Sequence, residues 1–385
     1  MFKTAHLRWS LVVRILNPVR PFRSTVARIH RWVGLGIGLA IVYLATTGLT
    51  LLFRPQIEPL IEARLHDVTS CAVREPLDSL IASAHTAHPA GAIRQLEIAQ
   101  GGFGATIVRY NDNVGIYVDP CTGSVLGSQE RWGGVFGTLE KLHRLRFLGN
   151  TDLSETIVGS VSLTMAMMVI GGLIIWWPRT RHQWKNAPKL RLGLRGLALE
   201  LHLHRTLGSY AAIILLATSF ASLTFVFDWA RNIIYTVTAS AAPAKKPSST
   251  ARAGTMPPME SFLARILSTV PQADAITILY PRKPGDAVEA LIIERNAPHP
   301  NARTMLYLDA FTAEPLRFEP YAASSAGHKT YRWLASLHMG YVGGVFGQLL
   351  LFLAILTLPV LAYTGIRSWL RRRALPVRSV VAPAK

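Results

Sequence analysis

Four of the twelve histidines recur at matching places in the two halves of the chain. His30 opens an apolar run as Ile29-His30-Arg31-Trp32-Val33-Gly34, and His204 opens another as Leu203-His204-Arg205-Thr206-Leu207-Gly208. His143 and His338 each precede a further apolar run, in Leu142-His143-Arg144 and Leu337-His338-Met339. A neutral imidazole nitrogen is a good metal ligand, and two of them facing each other from different helices suit a six-coordinate haem iron. Zinc fits less well, because it usually takes four ligands and each pair supplies two. The matching order pairs His30 with His204 and His143 with His338 as axial ligands, one pair near each face of a membrane, so two haems of the b type are expected.

The neighbours of these histidines have the right chemistry for such a group. Gly34 and Gly38 lie four and eight residues after His30, and Gly208 lies four after His204. On a helix each shares its histidine's face and leaves the surface bare for a flat macrocycle; close helix packing is the other use of such glycines in a membrane. Arg31, Arg205 and Arg144 directly follow three of the histidines. They are candidates for charge-assisted bonds to haem propionates, and Arg31 and Arg205 serve equally well as topology charges. His202 sits roughly 200° around a helix from His204 and is a fallback ligand only. His66, His85, His88, His182, His299 and His328 have no repeat partner and are expected at the surface. No catalytic acid, base or nucleophile set is legible. Gly34-x-Gly36-x-Gly38 lies inside an apolar run without a strand before it, so it is no dinucleotide loop.

These residues need elements to hold them, and the composition says which. The chain has 385 residues, half of them apolar and 16% charged, with a net charge of +19. That balance excludes disordered, collagen-like and disulfide-scaffold classes. Apolar stretches over 32–53, 156–177, 198–227 (with its most apolar part at Gly208–Phe227) and 344–369 are long enough to cross about 30 Å of hydrocarbon. Trp176, Trp177, Trp229 and Trp369 stand near their ends, where indole favours the interface. The positive surplus falls entirely in 1–31, 178–197 and 367–385, which contain no acid and abut these stretches. Lys and Arg beside a span are retained in the cytoplasm. The expected layout is therefore a cytoplasmic N-terminus (1–31), a cytoplasmic loop (178–197), a cytoplasmic tail (370–385), and outer segments 54–155 and 228–343. This localisation of charge also argues against nucleic acid as a partner. The first span is read as an anchor rather than a cleavable signal, because its core is long and no Ala-x-Ala-like site follows.

The unit of the repeat is span, outer module, histidine, span. Each outer segment starts with a helical pattern, Pro76–Ala87 or Pro257–Val270, followed by short alternating strands such as Ala105–Tyr110 and Ala290–Glu294. A hairpin follows in each, Tyr117-Val118-Asp119-Pro120-Cys121-Thr122-Gly123 in the first copy and Tyr307-Leu308-Asp309-Ala310-Phe311-Thr312-Ala313 in the second. Gly123 suits a left-handed turn position that Ala313 takes less easily. Both cysteines, Cys71 and Cys121, lie in the first outer segment, where a disulfide or two free thiols are equally open. Ser240–Pro258, rich in Ala, Pro, Lys and Ser, reads as a flexible tether.

With these motifs assembled, the chain resembles the PepSY-associated transmembrane proteins, a family that includes iron-regulated inner-membrane ferric-siderophore reductases. The resemblance is carried by the two Leu/Ile-His-Arg-x-x-Gly span openings, the two Tyr-x-Asp-x-x-Thr hairpins and the ending Gly171-Gly172-Leu173-Ile174-Ile175-Trp176-Trp177-Pro178-Arg179, and it runs from about residue 25 to 373. It departs from the usual pattern at Cys121, Phe311, Ala313 and Met339. The resemblance implies an internally duplicated membrane protein with four transmembrane helices and two periplasmic α+β PepSY-like modules in a bacterial inner membrane. It further implies a haem-dependent oxidoreductase that reduces ferric iron held in a siderophore. Electrons would come from the quinone pool or a cytoplasmic reductase, since no flavin or nucleotide site is legible. Lys141, Arg144, Arg146, Lys329 and Arg332, with Trp132, Tyr331, Trp333 and Tyr341, form a basic aromatic set near the outer histidines that suits an anionic ligand or a membrane-interface belt. The other function classes are a small-solute or siderophore transporter and a haem-free binding or regulatory module, from which iron at the four histidines would separate the reductase.

Overall fold

A computed structural model describes residues 19–99, 104–250 and 254–374. The basic residues Lys3, Arg8 and Arg14 and the tail beyond 374 lie outside the described residues. The helices used below are, in chain order, α1 (Val19–Leu51), α2 (Leu77–Ala87), α3 (Gly134–His143), α4 (Thr151–Trp176), α5 (Gly196–Val226), α6 (Met259–Thr269), α7 (Ala326–His338) and α8 (Gly344–Ala374). Among the described residues, α1, α4, α5 and α8 are long and apolar enough to cross a membrane. A helix satisfies every backbone group within itself, which is what hydrocarbon demands and why interior glycines do not break these segments.

The helices overrun the hydropathy boundaries. α1 includes His30 well inside it, α4 begins at Thr151 rather than 156, and α8 continues through Arg371, Arg372 and Arg373 to Ala374. Hydropathy stops at the first charges, whereas backbone hydrogen bonding continues as long as Arg side chains can reach water.

The described residues divide into two compact units, one of 19–46, 157–220 and 350–374, the other of those within 47–156 and 221–349. In the first, Ala211, Leu215 and Ala354 form a small core with Met165, Val169, Ile214 and Leu358. Leu39 and Ile213 are 83% and 81% exposed, so the outward surface is as apolar as a lipid-facing surface must be. Polar groups fasten the helices at their ends. Arg23 Nη2 donates to the Ile175 and Trp177 carbonyls at 2.6 and 2.9 Å, satisfying groups at the end of α4 that have no partner of their own. Glu200 of α5 pairs with Arg371 and Arg367 of α8 at 2.9 and 3.5 Å.

The second unit is built on one antiparallel sheet of eight strands: β1 (Ile93–Ala99), β2 (Thr106–Tyr110), β3 (Val114–Val118), β4 (Val125–Glu130), β5 (Ala273–Leu279), β6 (Val288–Glu294), β7 (Arg303–Leu308) and β8 (Pro315–Glu319). Their order is β4-β3-β2-β1-β5-β6-β7-β8, two four-stranded meanders joined edge to edge. Two separate modules are the expectation from sequence, and their fusion follows from physics. A lone meander would leave β1 or β5 as an open edge, and pairing the two edges hydrogen-bonds both, with Glu97 opposite Thr277 at the centre of the register. One core then serves both halves: Leu77, Leu80, Leu96, Val108, Phe262, Ile266, Ile276 and Ile292 are all at most 1% exposed.

The helices of the two halves cap each other. Pro76 and Pro258 precede α2 and α6 and offer no side-chain cap. The Asp78 carboxylate of α2 instead accepts from the Met259 and Glu260 amides at 2.8 and 3.0 Å, and Glu260 of α6 accepts from the Leu77 amide at 2.6 Å. Each carboxylate meets the positive end of the other helix.

The hairpins explain their aspartates. Asp119 accepts from the Thr69 and Cys121 amides, and Asp309 from the Thr250, Phe311 and Thr312 amides and the Thr250 hydroxyl. Gly123 and Ala313 both adopt left-handed backbone, with φ of 68° and 58°. Cys71 and Cys121 form a disulfide, their Cα atoms 5.7 Å apart. Within the Ser240–Pro258 stretch, whose positions 251–253 lie outside the described residues, 246–250 are not the free tether expected from composition. Ser248 bridges Asp286, Ser249 donates from its amide to the Gly285 carbonyl, Lys246 pairs with Glu289, and Thr250 is held by Asp309.

Candidate functional site

The first unit brings His30 and His204 together. Their ring centroids are 6.2 Å apart with ring planes at 87°. A metal–nitrogen bond of about 2 Å on each side, plus about 1.1 Å from nitrogen to ring centroid, puts the rings of a bis-imidazole metal site at about 6.2 Å. Perpendicular ring planes are compatible with two imidazoles sharing one axis.

Both rings rest against bare backbone. A Cβ placed on Gly171 of α4 would lie 3.6 Å from His30 Nδ1, one on Gly172 3.4 Å from His30 Cε1, and one on Gly365 of α8 3.5 Å from His204 Cε1. His204 Nδ1 hydrogen-bonds the Leu361 carbonyl at 3.0 Å and the Thr364 hydroxyl at 3.1 Å. A carbonyl can only accept, so Nδ1 carries the proton and Nε2 keeps its lone pair, the tautomer a metal ligand needs. His30 Nδ1 is buried and makes no hydrogen bond of ordinary geometry.

The glycines that follow the histidines along their own helices do not touch the imidazole rings. A Cβ on Gly34 would meet Met168 at 2.9 Å, one on Gly208 would meet Leu361 at 3.6 Å, and one on Gly38 would meet nothing within 4 Å. The glycines that touch the rings come from the facing helices. A signal for them was present: Gly172 and Gly365 each precede a span-ending tryptophan, Trp176 and Trp369, by four residues. Sequence spacing reports one helix face at a time and does not say which helix lies opposite.

In the second unit His143 ends α3, and its Nδ1 lies 3.0 Å from the Thr47 hydroxyl of α1. A Cβ on Gly48 would come within 3.0 Å of His143 Cε1, so that position is closed to a larger side chain unless the ring shifts. His338 ends α7 and packs edge-on against Phe225 of α5, centroids 5.4 Å apart. The early start of α4 also evens the connections: Thr151 follows His143 by eight residues, and Gly344 follows His338 by six.

Arg31 and Arg205 are exposed, and Arg144 pairs with Glu140 at 3.4 Å. Glu140 also binds Arg131 at 2.6 Å and Arg54 at 2.8 Å. Burial alone would raise its carboxyl pKa, but Arg131, then Arg54 and Arg144, hold it below the usual range. The basic aromatic set is therefore partly neutralised. Arg146 pairs with Glu155 at 2.5 Å, Lys329 donates to the Ala322 carbonyl, and Arg332 donates to His328 at 3.3 Å. His328 is held at about 4 by burial and by Arg332, so it adds no charge at neutral pH.

The remaining histidines are engaged in other ways. His202 accepts from the Arg191 amide at 2.9 Å. His88 pairs with Asp112 at 2.7 Å, and His66 packs on Tyr117. His299, expected at the surface, is only 3% exposed. It bonds Ser336 at 2.8 Å and Tyr321 at 3.3 Å and packs edge-on against Trp333, anchoring α7 two residues from His338. A buried imidazole needs such partners for both nitrogens.

The family model of the PepSY-associated TM region matches residues 27–372, nearly the whole chain. No curated protein matches it.

Proposed function

The chain belongs to the PepSY-associated TM family, and from that premise we propose that it is a di-haem electron carrier that reduces ferric iron in siderophores. Four apolar helices and the family make it a multi-pass membrane protein. The observation that carries the haem reading is the His30–His204 pair, spaced at 6.2 Å against glycine backbone. Among the described residues no three His, Cys, Asp or Glu side chains converge as a closed metal site requires, and the carboxylates closest in sequence, Glu200 and Glu140, are taken up by arginines. A haem would ask of the protein only imidazole nitrogens such as those of His30 and His204.

In this reading His30 and His204 would hold the inner group through Nε2, and His143 and His338 would hold the outer one. Gly171, Gly172, Gly365 and Gly48 keep side chains away from the rings, with Gly34 and Gly208 letting the helices approach. Arg31 and Arg205 would be the propionate partners, joined by Arg144 where it gives up its pairing with Glu140. A bound haem supplies one-electron transfer. Each ferric chelate would take up one electron to become the ferrous ion, which the chelator holds less tightly; a quinol, oxidised to quinone with release of two protons, would supply two chelates, and a cytoplasmic reductase would supply them one electron at a time.

The two halves are read as duplicated PepSY-like modules, and the reciprocal Asp78 and Glu260 caps support that reading. An inner-membrane location with both termini in the cytoplasm rests on the basic clusters, and the Cys71–Cys121 disulfide supports an oxidising outer side.

The test is a reduced-minus-oxidised absorption spectrum of purified protein with haem quantified per chain. Two low-spin b-type haems are expected, followed by trapping of ferrous iron from a ferric siderophore after chemical reduction of the protein. A haem-free protein from haem-sufficient cells would overturn the reductase reading and favour the binding module.

A further inference from the structure

The two inner histidines are equivalent in place but not in support. Relative to His30, Met168, Gly171 and Gly172 of α4 stand as Leu361, Thr364 and Gly365 of α8 stand to His204. The Leu361 carbonyl and the Thr364 hydroxyl both reach His204 Nδ1. Thr364 spends its own proton on the Val360 carbonyl at 2.7 Å, so its oxygen is free to accept from the imidazole. The Met168 carbonyl acts on the His30 ring but makes no ordinary hydrogen bond with Nδ1, and Gly171 has no hydroxyl to offer.

We infer that the pair is asymmetric by construction: His204 is the anchored, stronger donor and His30 the labile ligand, with the residue at position 171 setting the difference. The inference rests on the haem reading above. A ligating imidazole whose other N–H is held by an acceptor is both oriented and made more basic, and such outer partners alter metal affinity by about 10- to 100-fold. Gly171 and Thr364 are thus positioning residues, and the His30 side is where a small neutral ligand for ferrous iron displaces the imidazole Nε2.

Position 171 has room for the experiment. A Cβ there would sit 3.6 Å from both His30 Nδ1 and Val26 Cγ1, an ordinary contact, so Gly171→Ser adds a hydroxyl beside that nitrogen without a clash. The probes are carbon monoxide binding to the reduced protein and a potentiometric titration, both read on the spectral component that His30→Ala removes. Gly171→Ser is expected to slow carbon monoxide binding about tenfold and to lower the potential by the same factor in ferric preference, about 59 mV for one electron. Thr364→Val should raise the potential, and Thr364→Ser should behave as wild type. A change that merely loosened the packing would not move the potential in opposite directions in the two variants. Full haem content with both variants unchanged, or both shifted the same way, overturns the asymmetry and leaves the haem reading standing. Absence of haem from the wild-type protein overturns both.

Discussion

At the scale of the residue, the histidines make separable predictions. On the di-haem proposal, His30→Ala or His204→Ala should lose the inner haem and His143→Ala or His338→Ala the outer one, measured as haem per chain and as loss of one of two redox components. Equal haem content in all four variants would refute the pairing. Gly48 gives a steric version of the same test. Its Cβ would lie 3.0 Å from the His143 ring, so Gly48→Val should displace His143 and deplete the outer haem with the inner one retained. The buried Asp309 makes a pH prediction. Burial by itself raises its pKa, but bonds from Thr250, Phe311 and Thr312 bring it down to about 2, below the ordinary value of about 3.9. A carboxyl lowered in the folded state adds stability that is present above about pH 4 and is lost as pH falls toward 2. Thermal melts from pH 5 to 2 should therefore flatten in Asp309→Asn, at the expense of lower stability at neutral pH; an unaltered pH profile would show that Asp309 contributes no linkage.

At the scale of the element, the hairpin between β7 and β8 and the helix caps carry the testable physics. Ala313 holds φ of 58° where the other hairpin has Gly123, and a side chain in that conformation costs roughly 1 kcal/mol or more. Ala313→Gly should therefore raise the melting temperature by a few degrees, whereas Gly123→Ala should lower it. The reciprocal caps of α2 and α6 predict coupling. Asp78→Ala and Glu260→Ala should each cost about 1 kcal/mol, as lost N-caps do, and the double variant should depart from their sum because both act across one helix pair. Additive values in denaturant melts would mean that the two caps work independently. Neither cap was legible in the chain, since Asp78 and Glu260 are 182 residues apart and each looks like an ordinary first-turn acid of its own helix.

At the scale of the whole molecule, the Cys71–Cys121 bond closes a 50-residue loop that includes α2 and the first three strands. Cys71→Ser should cost about 2–4 kcal/mol in the second unit. Intact mass after alkylation without reduction should show no free thiol in the wild type.

The sequence by itself determined the four spans, the order of parts in each half, the strand and hairpin positions and the four matching histidines. All of these are encoded locally, in runs of hydropathy, in two-residue and 3.6-residue periods and in turn residues that act within a few positions. Tertiary structure alone decided what faces what: that two meanders share one eight-stranded sheet, that the residues at 248–250 are pinned rather than free, and that His299 is buried. It also decided that the glycines against His30 and His204 are Gly171, Gly172 and Gly365 of the opposing helices. An unpaired strand edge or a bare helix face states only that something must cover it. Which distant segment does so depends on the packing of the whole chain, and the spacing of residues along one helix does not contain that choice.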